Sequence, residues 1–337
     1  MIEFFKEPNI DWMGKAKYFY ALSAILLLAG WISIFAKGGL YYGIDFKGGT
    51  NVDVRFTQQP NVDQIRKALT AQGLGNSEIQ GISDIGAGNS NEVQIFVGQK
   101  DLSDEARDSS KAEVVAALNA AYGPGSFTVR GAEIVGAKVG AELRRQAVFV
   151  TLYALGGMLL YIAFRFEWVF GAAAVLAVFH DVLITLGFFS LLHFEISLTV
   201  IAALLTLVGY SMNDTIVIFD RIRENNRLLR KEEFAAVVNK SINQTLSRTI
   251  LTSGLTFLTV LVLFLMGGQV LRAFSFALVV GIVVGTYSSF GIAAPLVVLW
   301  HRFKDQGSAA VGTGPAAGNK PRNGEAAAGR LAPAGRR

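Results

Sequence analysis

Six apolar segments, each long enough to cross a lipid bilayer, constrain the fold of this chain more than any other feature. A membrane-spanning helix needs about 17–25 predominantly apolar residues, and hydrocarbon forces the backbone of such a segment to bond within the helix. The predicted spans are residues 18–36, 147–164, 169–192, 196–219, 250–266 and 274–300. The first span is too long for a signal peptide and lacks a small-x-small cleavage pattern, so we interpret it as an uncleaved anchor. The pattern predicts an integral membrane α-helical bundle.

Composition supports a membrane protein and excludes several other classes. Of the 337 residues, 52% are hydrophobic and only 17% are charged. The chain has no cysteine, its three histidines are scattered, and it has no GxxxxGK[ST] loop. We therefore expect no enzymatic activity, no metal, no cofactor and no bound nucleic acid, since the net charge of +5 arises from basic residues beside the spans. Any work done by the protein would be powered by another component or by an ion gradient.

The placement of lysine and arginine predicts the orientation, because basic residues concentrate on the cytoplasmic side. They precede the first span, fill the loop between the fourth and fifth spans, and follow the sixth. We predict a cytoplasmic N-terminus (residues 1–17), a helical basic loop along the membrane surface (220–248) and a cytoplasmic tail (301–337). From about Gln306 the tail has the composition of a disordered segment. Two interpretations of it remain open: its basic residues contact anionic lipid, or the tail is solvated and has no function. Arg144 and Arg145 on the opposite side weaken the rule locally.

Residues 37–146 then lie outside the cytoplasm and alternate between strand and helix patterns. The predicted order is strand–helix–strand–strand–helix–strand, over residues 51–56, 62–72, 78–85, 92–97, 104–122 and 127–135. Two βαβ halves of this kind predict an α+β ferredoxin-like domain. Without cofactor ligands, such a domain is more often an interaction module than an enzyme.

Asp214 stands inside the fourth span, where a charge costs about 2.5 kcal/mol or more. Asn213 and two hydroxyls lie within one helical turn of it. A proton- or ion-coupling role is the favoured interpretation, and a structural hydrogen bond is the alternative. His180 and Asp181 form a second polar pair inside the third span, for which a proton relay and a packing role are equally open.

The fifth span carries hydroxyl side chains at spacings of three and four, which places them on one helical face. Its polar stripe consists of Thr249, Thr252, Ser253 and Thr256. Arg248 at the cytoplasmic end either extends to the interface or pairs with Asp214, which would supply the parts of a gated proton path. The stripe can equally serve helix–helix packing. On the sixth span, Gly281 and Gly285 predict close helix packing, and we expect this face to meet a partner.

Four motifs resemble one family. The first is Tyr42-Gly-Ile-Asp-Phe-Lys-Gly-Gly-Thr50, and the second runs from Val208 to Asn225 around Asn213-Asp214. The segment from Ser247 to Ser253 and the pair His180-Asp181 complete the set. In sequence and order these motifs resemble the SecD/SecF family of protein-export membrane proteins, within the RND superfamily. The resemblance covers roughly residues 10–305.

The resemblance implies an RND-type half of six helices with a ferredoxin-like domain after the first. It implies a SecF-like subunit that pairs with a SecD-like subunit and uses the proton motive force in late steps of preprotein export. The implied surroundings are the bacterial inner membrane, a SecYEG-type channel, YidC/YajC-type accessory proteins and the translocating preprotein. Asp214 is implied to be proton-responsive with Arg248 as its partner, whereas the first motif is implied to be structural: Gly43, Asp45, Gly48, Gly49 and Thr50.

Two other functions remain open. An RND-type exporter of drugs or lipids would need larger extracytoplasmic domains and normally a fused second half. A scaffold subunit would not need Asp214, Asn213 and Arg248 in the membrane. The residues do not distinguish protons from sodium as the coupling ion.

Overall fold

The computed structural model describes residues 8–82, 91–98 and 105–311. The chain divides into two compact units, residues 1–298 and 299–337, and the second is described only as helix, up to Val311. The elements before the second long helix are α1 (Trp12–Ala36), α2 (Ile44–Lys47), β1 (Gly49–Phe56), α3 (Val62–Ala71), β2 (Glu78–Ile82), β3 (Glu92–Val97), α4 (Glu105–Tyr122) and β4 (Phe127–Val135). The remaining helices are α5 (Ala137–Arg165), α6 (Trp168–Leu192), α7 (Leu198–Leu228), α8 (Phe234–Met266), α9 (Gly268–Ser288) and α10 (Ala294–Val311).

Six helical stretches in the described residues are long and apolar enough to cross a membrane, which confirms the predicted bundle. The last stretch is not one regular helix. A π-helical turn, Ser289–Ala293, separates α9 from α10. Such turns are rare in proteins, and those that occur are often found at functional sites. Of the predicted tail, residues 312–337 lie outside the described residues.

The predicted cytoplasmic loop differs from the structure. Helix α7 continues nine residues past the predicted end at Phe219, and α8 begins at Phe234, so the connection is only residues 229–233. The two extensions stay helical because they pack on each other. Ile222 is fully buried, and the Asn225 amide donates to the Ser241 hydroxyl at 2.8 Å. The basic segment thus prolongs two spans instead of lying along the membrane surface.

The domain after α1 contains one antiparallel sheet in the order β2-β3-β1-β4, with the predicted succession of strands and helices. The ferredoxin-like assignment stays a prediction. Alternation along β1 sends Val52, Val54 and Phe56 to one face, where they pack with residues of α3 and α4 into an apolar core. Asn51 and Asp53 point to the opposite face of the sheet.

A short backbone joint connects this domain to the start of α7. The Gly43 N–H donates to the Ile196 carbonyl at 2.8 Å, and the Ile196 N–H donates to the Tyr41 carbonyl at 2.7 Å. The joint places the polar face of the sheet beside the α6–α7 loop, residues 193–197, because residues of both line one small cavity.

Small residues let the long helices approach closely within the chain. A Cβ added to Gly30 on α1 would lie 2.7 Å from the Cα of Gly187 on α6. A Cβ added to Gly285 on α9 would lie 3.0 Å from the Cβ of Ser211 on α7, and Gly281 packs on Leu207 in the same way. The expectation that the Gly281/Gly285 face meets a partner is therefore wrong, because α7 already covers it.

Candidate functional site

Helix α7 carries the central polar groups. The Ser197 hydroxyl caps its start by accepting from the Val200 N–H at 3.4 Å. Ser211, Asp214 and Thr215 share its buried face because they are three and four residues apart. Asn213, on the opposite side of the helix, is exposed. Adjacent residues of the predicted site therefore face in different directions.

Asp214 is 3% exposed, and its Oδ2 accepts a hydrogen bond from Ser253 Oγ on α8 at 2.8 Å. The structure thus brings the polar faces of the fourth and fifth spans together, a contact that the sequence left open. Arg248 occupies an exposed position about one and a half turns before Ser253. Its charge acts on Asp214, but among the described side chains the two form no ion pair.

Most of the polar stripe on α8 is satisfied within its own helix. The hydroxyls of Thr252 and Thr256 donate to the carbonyls of Arg248 and Thr252, at 3.0 and 2.9 Å. Thr249 is buried, but the described hydrogen bond to the carboxylate comes from Ser253. The stripe is therefore a single cross-helix contact flanked by hydroxyls that bond backward along the helix, which is common for Ser and Thr in helices.

Asp181 forms a second node, fully buried where α6, α7 and α9 meet. Its Oδ2 accepts from Ser211 Oγ and, at 2.8 Å, from Ser288 Oγ. Its Oδ1 lies 2.8 Å from His180 Nδ1. Ser288 directly precedes the π-helical turn, so the irregular part of the last span begins at this node.

The node continues toward α1 through aromatic contacts. The His180 ring meets the Tyr287 ring edge-on, and the Tyr287 hydroxyl lies 3.1 Å from Ser23 Oγ. His180 Nε2 is buried and has no hydrogen-bond partner among the described residues. Ser211 and Asp214 are one turn apart on α7, so the two carboxylates occupy neighbouring levels of the bundle.

The hydrogen-bond partners of these two carboxyl groups suit both the ionised and the protonated form. A hydroxyl can donate to a carboxylate and can also accept from a carboxylic acid, so Ser253 can bond Asp214 in both protonation states. A charged Asp in the low-dielectric bundle is costly, whereas a neutral one is not. Within the described residues, no group of His, Asp and Glu could hold a metal ion.

The glycine-rich motif after α1 joins the domain to α7. Asp45 Oδ2 accepts from the Leu198 N–H at 2.8 Å, at the first residue of α7. Gly48 and Gly49 both have positive φ, and a Cβ on Gly49 would lie 2.5 Å from the Val97 carbonyl, so only glycine fits there. Gly43 supplies a backbone bond of the joint and Thr50 is buried in β1, which gives each motif residue a structural position.

Three polar residues of this region have contacts that the sequence does not reveal. Ser211 and Ser288 stand in the fourth and sixth spans, and only the fold shows that both hydroxyls reach Asp181. Glu195 is a lone carboxyl in the short α6–α7 loop. Burial raises its pKa to about 7, with further contributions from the negative charges of Glu133, Asp45 and Asp53. A carboxyl between two spans is the signal that could have pointed to it.

Comparison with known protein families gives two matches. The family described as "Protein export membrane protein SecD/SecF, C-terminal" matches residues 114–303, and the "SecD/SecF GG Motif" matches residues 32–60. The Protein translocase subunit SecF of Koribacter versatilis is 44% identical, over 94% of this chain and 97% of that protein. The SecF of Calditerrivibrio nitroreducens is 47% identical over 87% and 94%, respectively.

Longer relatives contain the chain as a part. The Protein translocase subunit SecDF of Thermus thermophilus is 46% identical, over 87% of this chain and 39% of that one. The crystal structure of SecDF from Thermus thermophilus, a translocon-associated membrane protein, superposes with a TM-score of 0.77 at 44% identity, covering 88% of this chain and 39% of that one. SecDF in its super-membrane-facing form gives a TM-score of 0.65, also at 44% identity, over 91% and 41%.

Proposed function

The chain belongs to the SecD/SecF family of protein-export membrane proteins, and we propose that it is a SecF-type subunit that uses the proton motive force to drive late steps of preprotein export. The observation that carries the proposal is the buried Asp214 carboxylate, held by the Ser253 hydroxyl with the Arg248 charge nearby. It acts without enzymatic chemistry, metal or cofactor. Asp181 and His180 supply a second protonatable node one turn away.

The mechanism follows from the two protonation states of Asp214. The ionised carboxylate attracts the Arg248 guanidinium and draws α8 toward α7. Protonation removes that attraction, while the Ser253 hydroxyl keeps a bond to the neutral acid by reversing its role. The contact between α7 and α8 therefore changes in strength and geometry without being lost, which is the behaviour required of a coupling element.

A SecD-like partner is proposed to cover the outer face of α7. Thr206, Gly209 and Asn213 lie on one exposed face of that helix. Nothing lies within 4 Å of a Cβ built on Gly209. Polar groups facing hydrocarbon are costly, and small residues favour close helix contact, so a second bundle suits this face better than lipid does. In the SecDF relative, the matching part is 39% of one longer chain, which supports such a pairing.

The wider setting belongs to the same proposal. The protein would lie in the bacterial inner membrane with both termini in the cytoplasm, beside a SecYEG-type channel and YidC/YajC-type accessory proteins. The translocating preprotein would be the partner of its extracytoplasmic domain. The basic extensions of α7 and α8 would lie on the side of the anionic lipid surface.

The test is export into inverted membrane vesicles with and without an imposed proton gradient, at matched expression. Asp214→Asn should assemble but lose the gradient-dependent part of export, because Asn keeps the shape and cannot titrate. The matched control is Asp220→Asn, on the same helix, whose carboxylate pairs with Arg165 at 2.9 Å near the interface. Full gradient stimulation in Asp214→Asn would refute coupling and favour a scaffold role.

A further inference from the structure

The polar face of the sheet and the α6–α7 loop enclose a small cavity at the joint between domain and bundle. Among its lining residues are Tyr41, Asn51, Glu78, Gln94 and Glu195. The cavity is small, with room for a single water molecule. The cavity thus lies where the domain meets the membrane helices.

Negative groups dominate the surroundings of Glu195. Asp53 on β1, Glu133 on β4 and Asp45 on α2 all act on its carboxyl, and Lys47 on α2 opposes them. The Lys47 ammonium is already engaged by Glu78 of β2 at 2.9 Å and lies over the Tyr41 ring at 4.7 Å. His193 of the same loop stacks on that Tyr41 ring, at 4.9 Å between centroids.

Two acceptor oxygens on this face lack a donor in the described structure. Asn51 is 6% exposed and lines the cavity, and its Oδ1 has no hydrogen-bond partner. Asp53 Oδ1 is buried and unpartnered as well. A buried acceptor without a donor is destabilising. An ionised Glu195 offers only more acceptors, whereas a protonated Glu195 offers the missing O–H.

We propose that Glu195 is a proton-operated latch that holds the extracytoplasmic domain on the membrane bundle when it is protonated and loosens the joint when it is ionised. In the protonated form its O–H donates toward Asn51 through the single water that the cavity admits, and the repulsion from Asp45, Asp53 and Glu133 is relieved. In the ionised form the repulsion acts directly on the joint formed by Gly43, Ile196 and the Asp45–Leu198 bond. This latch is separate from the titration of Asp214 inside the membrane.

The direction of the pH response follows from the pKa of Glu195. The docked state holds that pKa at about 7, against an ordinary value of 4.5 for an undocked carboxyl. Docking is therefore fully stable below about pH 4.5, weakens as the pH rises from there, and reaches its weakest level above about pH 7. The pKa difference corresponds to a change in the docking equilibrium of up to about two orders of magnitude.

Spin-label distances test the latch in the full chain, reconstituted in liposomes. The chain has no cysteine, so Lys67→Cys on α3 and Leu192→Cys at the end of α6 can be labelled specifically. The doubly labelled protein with Glu195 intact should give one narrow distribution of label-to-label distances at pH 4.5, and that distribution should broaden or shift at pH 8.5. Glu195→Gln, which is neutral and keeps a donor, should stay narrow at both. Glu142→Gln, on the exposed side of α5, is the charge-matched control and should keep the full response.

Asn51→Ala provides a second variant. Loss of the acceptor should destabilise the protonated latch and shrink the pH response severalfold, with its end point moving to lower pH. A distribution that does not change with pH in the parent protein overturns the latch, as does a full response in Glu195→Gln. An unaltered response in Asn51→Ala overturns the assigned hydrogen bond. Because Asp214→Asn should keep the response, failure of the latch and failure of gradient coupling are separately visible.

Discussion

The carboxylate of Asp45 and the backbone N–H of Leu198 are joined by a hydrogen bond of 2.8 Å across 153 residues of sequence. Asp45 belongs to the glycine-rich motif of the extracytoplasmic domain, and Leu198 is the first residue of α7. A negative charge at a helix N-terminus is favourable because it satisfies a free N–H and complements the helix dipole. The glycine-rich motif thus attaches the extracytoplasmic domain to the helix that carries Asp214.

Replacing Asp45 with Ala should loosen this attachment. A hydrogen bond to a charged group contributes about 1.5–3 kcal/mol, so the amide of Leu198 should lose protection against hydrogen exchange. Glu113→Ala, on the exposed face of α4, is the control and should leave that amide unchanged. Unaltered protection of Leu198 in Asp45→Ala would contradict the fastening role.

Ser211 and Ser288 should be coupled energetically through Asp181. Each Ser→Ala change removes one donor from a fully buried carboxylate and should cost about 1–3 kcal/mol of stability. In a double-mutant cycle, measured by denaturant unfolding in detergent, the two costs should be non-additive because they share one acceptor. Simple additivity would show that the two hydroxyls act independently. Thr206→Ala, whose hydroxyl bonds its own helix, should cost far less.

Arg248 should matter for coupling and little for folding. It is exposed and makes no ion pair with Asp214 among the described residues, so Arg248→Met should insert and assemble normally. Its gradient-dependent export should nevertheless fall to the level without a gradient. Arg248→Lys keeps the charge and should retain part of the stimulation. Equal export by Arg248→Met and the parent would remove Arg248 from the mechanism.

Two glycines should separate internal packing from partner binding. Gly285→Leu would collide with Ser211 on α7 and should destabilise the chain by about 1–3 kcal/mol or more. A Cβ at position 209 would meet nothing within 4 Å in the described structure, so Gly209→Leu should leave the isolated subunit as stable as before. It should instead reduce co-purification with a SecD-like subunit. If Gly209→Leu co-purifies undiminished, the partner does not cover this face of α7.

Thiol labelling should report the orientation. Cysteine is absent, so Lys67→Cys on α3 should react with an impermeant maleimide from outside intact cells. Lys231→Cys in the α7–α8 connection should react only after permeabilisation. The reverse pattern would contradict a cytoplasmic N-terminus with six spans. Both positions are exposed lysines, so their intrinsic reactivity is comparable.

The bundle was accessible from sequence because hydrocarbon leaves a helix as the only solution for each long apolar run. Apolarity was less informative about where helices end. Helices α7 and α8 extend beyond their apolar stretches because Ile222 and Asn225 of α7 pack against α8. Such packing leaves little trace in the local composition. Nothing in the local sequence around Ser288 predicts the π-helical turn.

Part of the site could also be predicted, because helical spacing placed Ser253 on a polar face and Asp214 inside a span. Helical spacing does not decide the hydrogen-bond partner of Asp214. Arg248 and Ser253 are only about one and a half turns apart on α8, so either side chain could have faced it. Glu195 was missed for a different reason. Its environment is assembled from strands far away in sequence, so its local segment looks like an ordinary loop between two spans.

Helix α7 is one uninterrupted helix of 31 residues, about 46 Å long. Asp45 accepts a hydrogen bond from the first residue of α7, and Asp214 lies in the middle of the helix. Asn225, near the C-terminal end of α7, bonds to α8. A helix is stiff along its axis, so α7 can move along that axis as one rigid element that is attached near both of its ends. An axial displacement of α7 at Asp214 would therefore be transmitted to both ends of the helix, and no hinge inside α7 is needed for it.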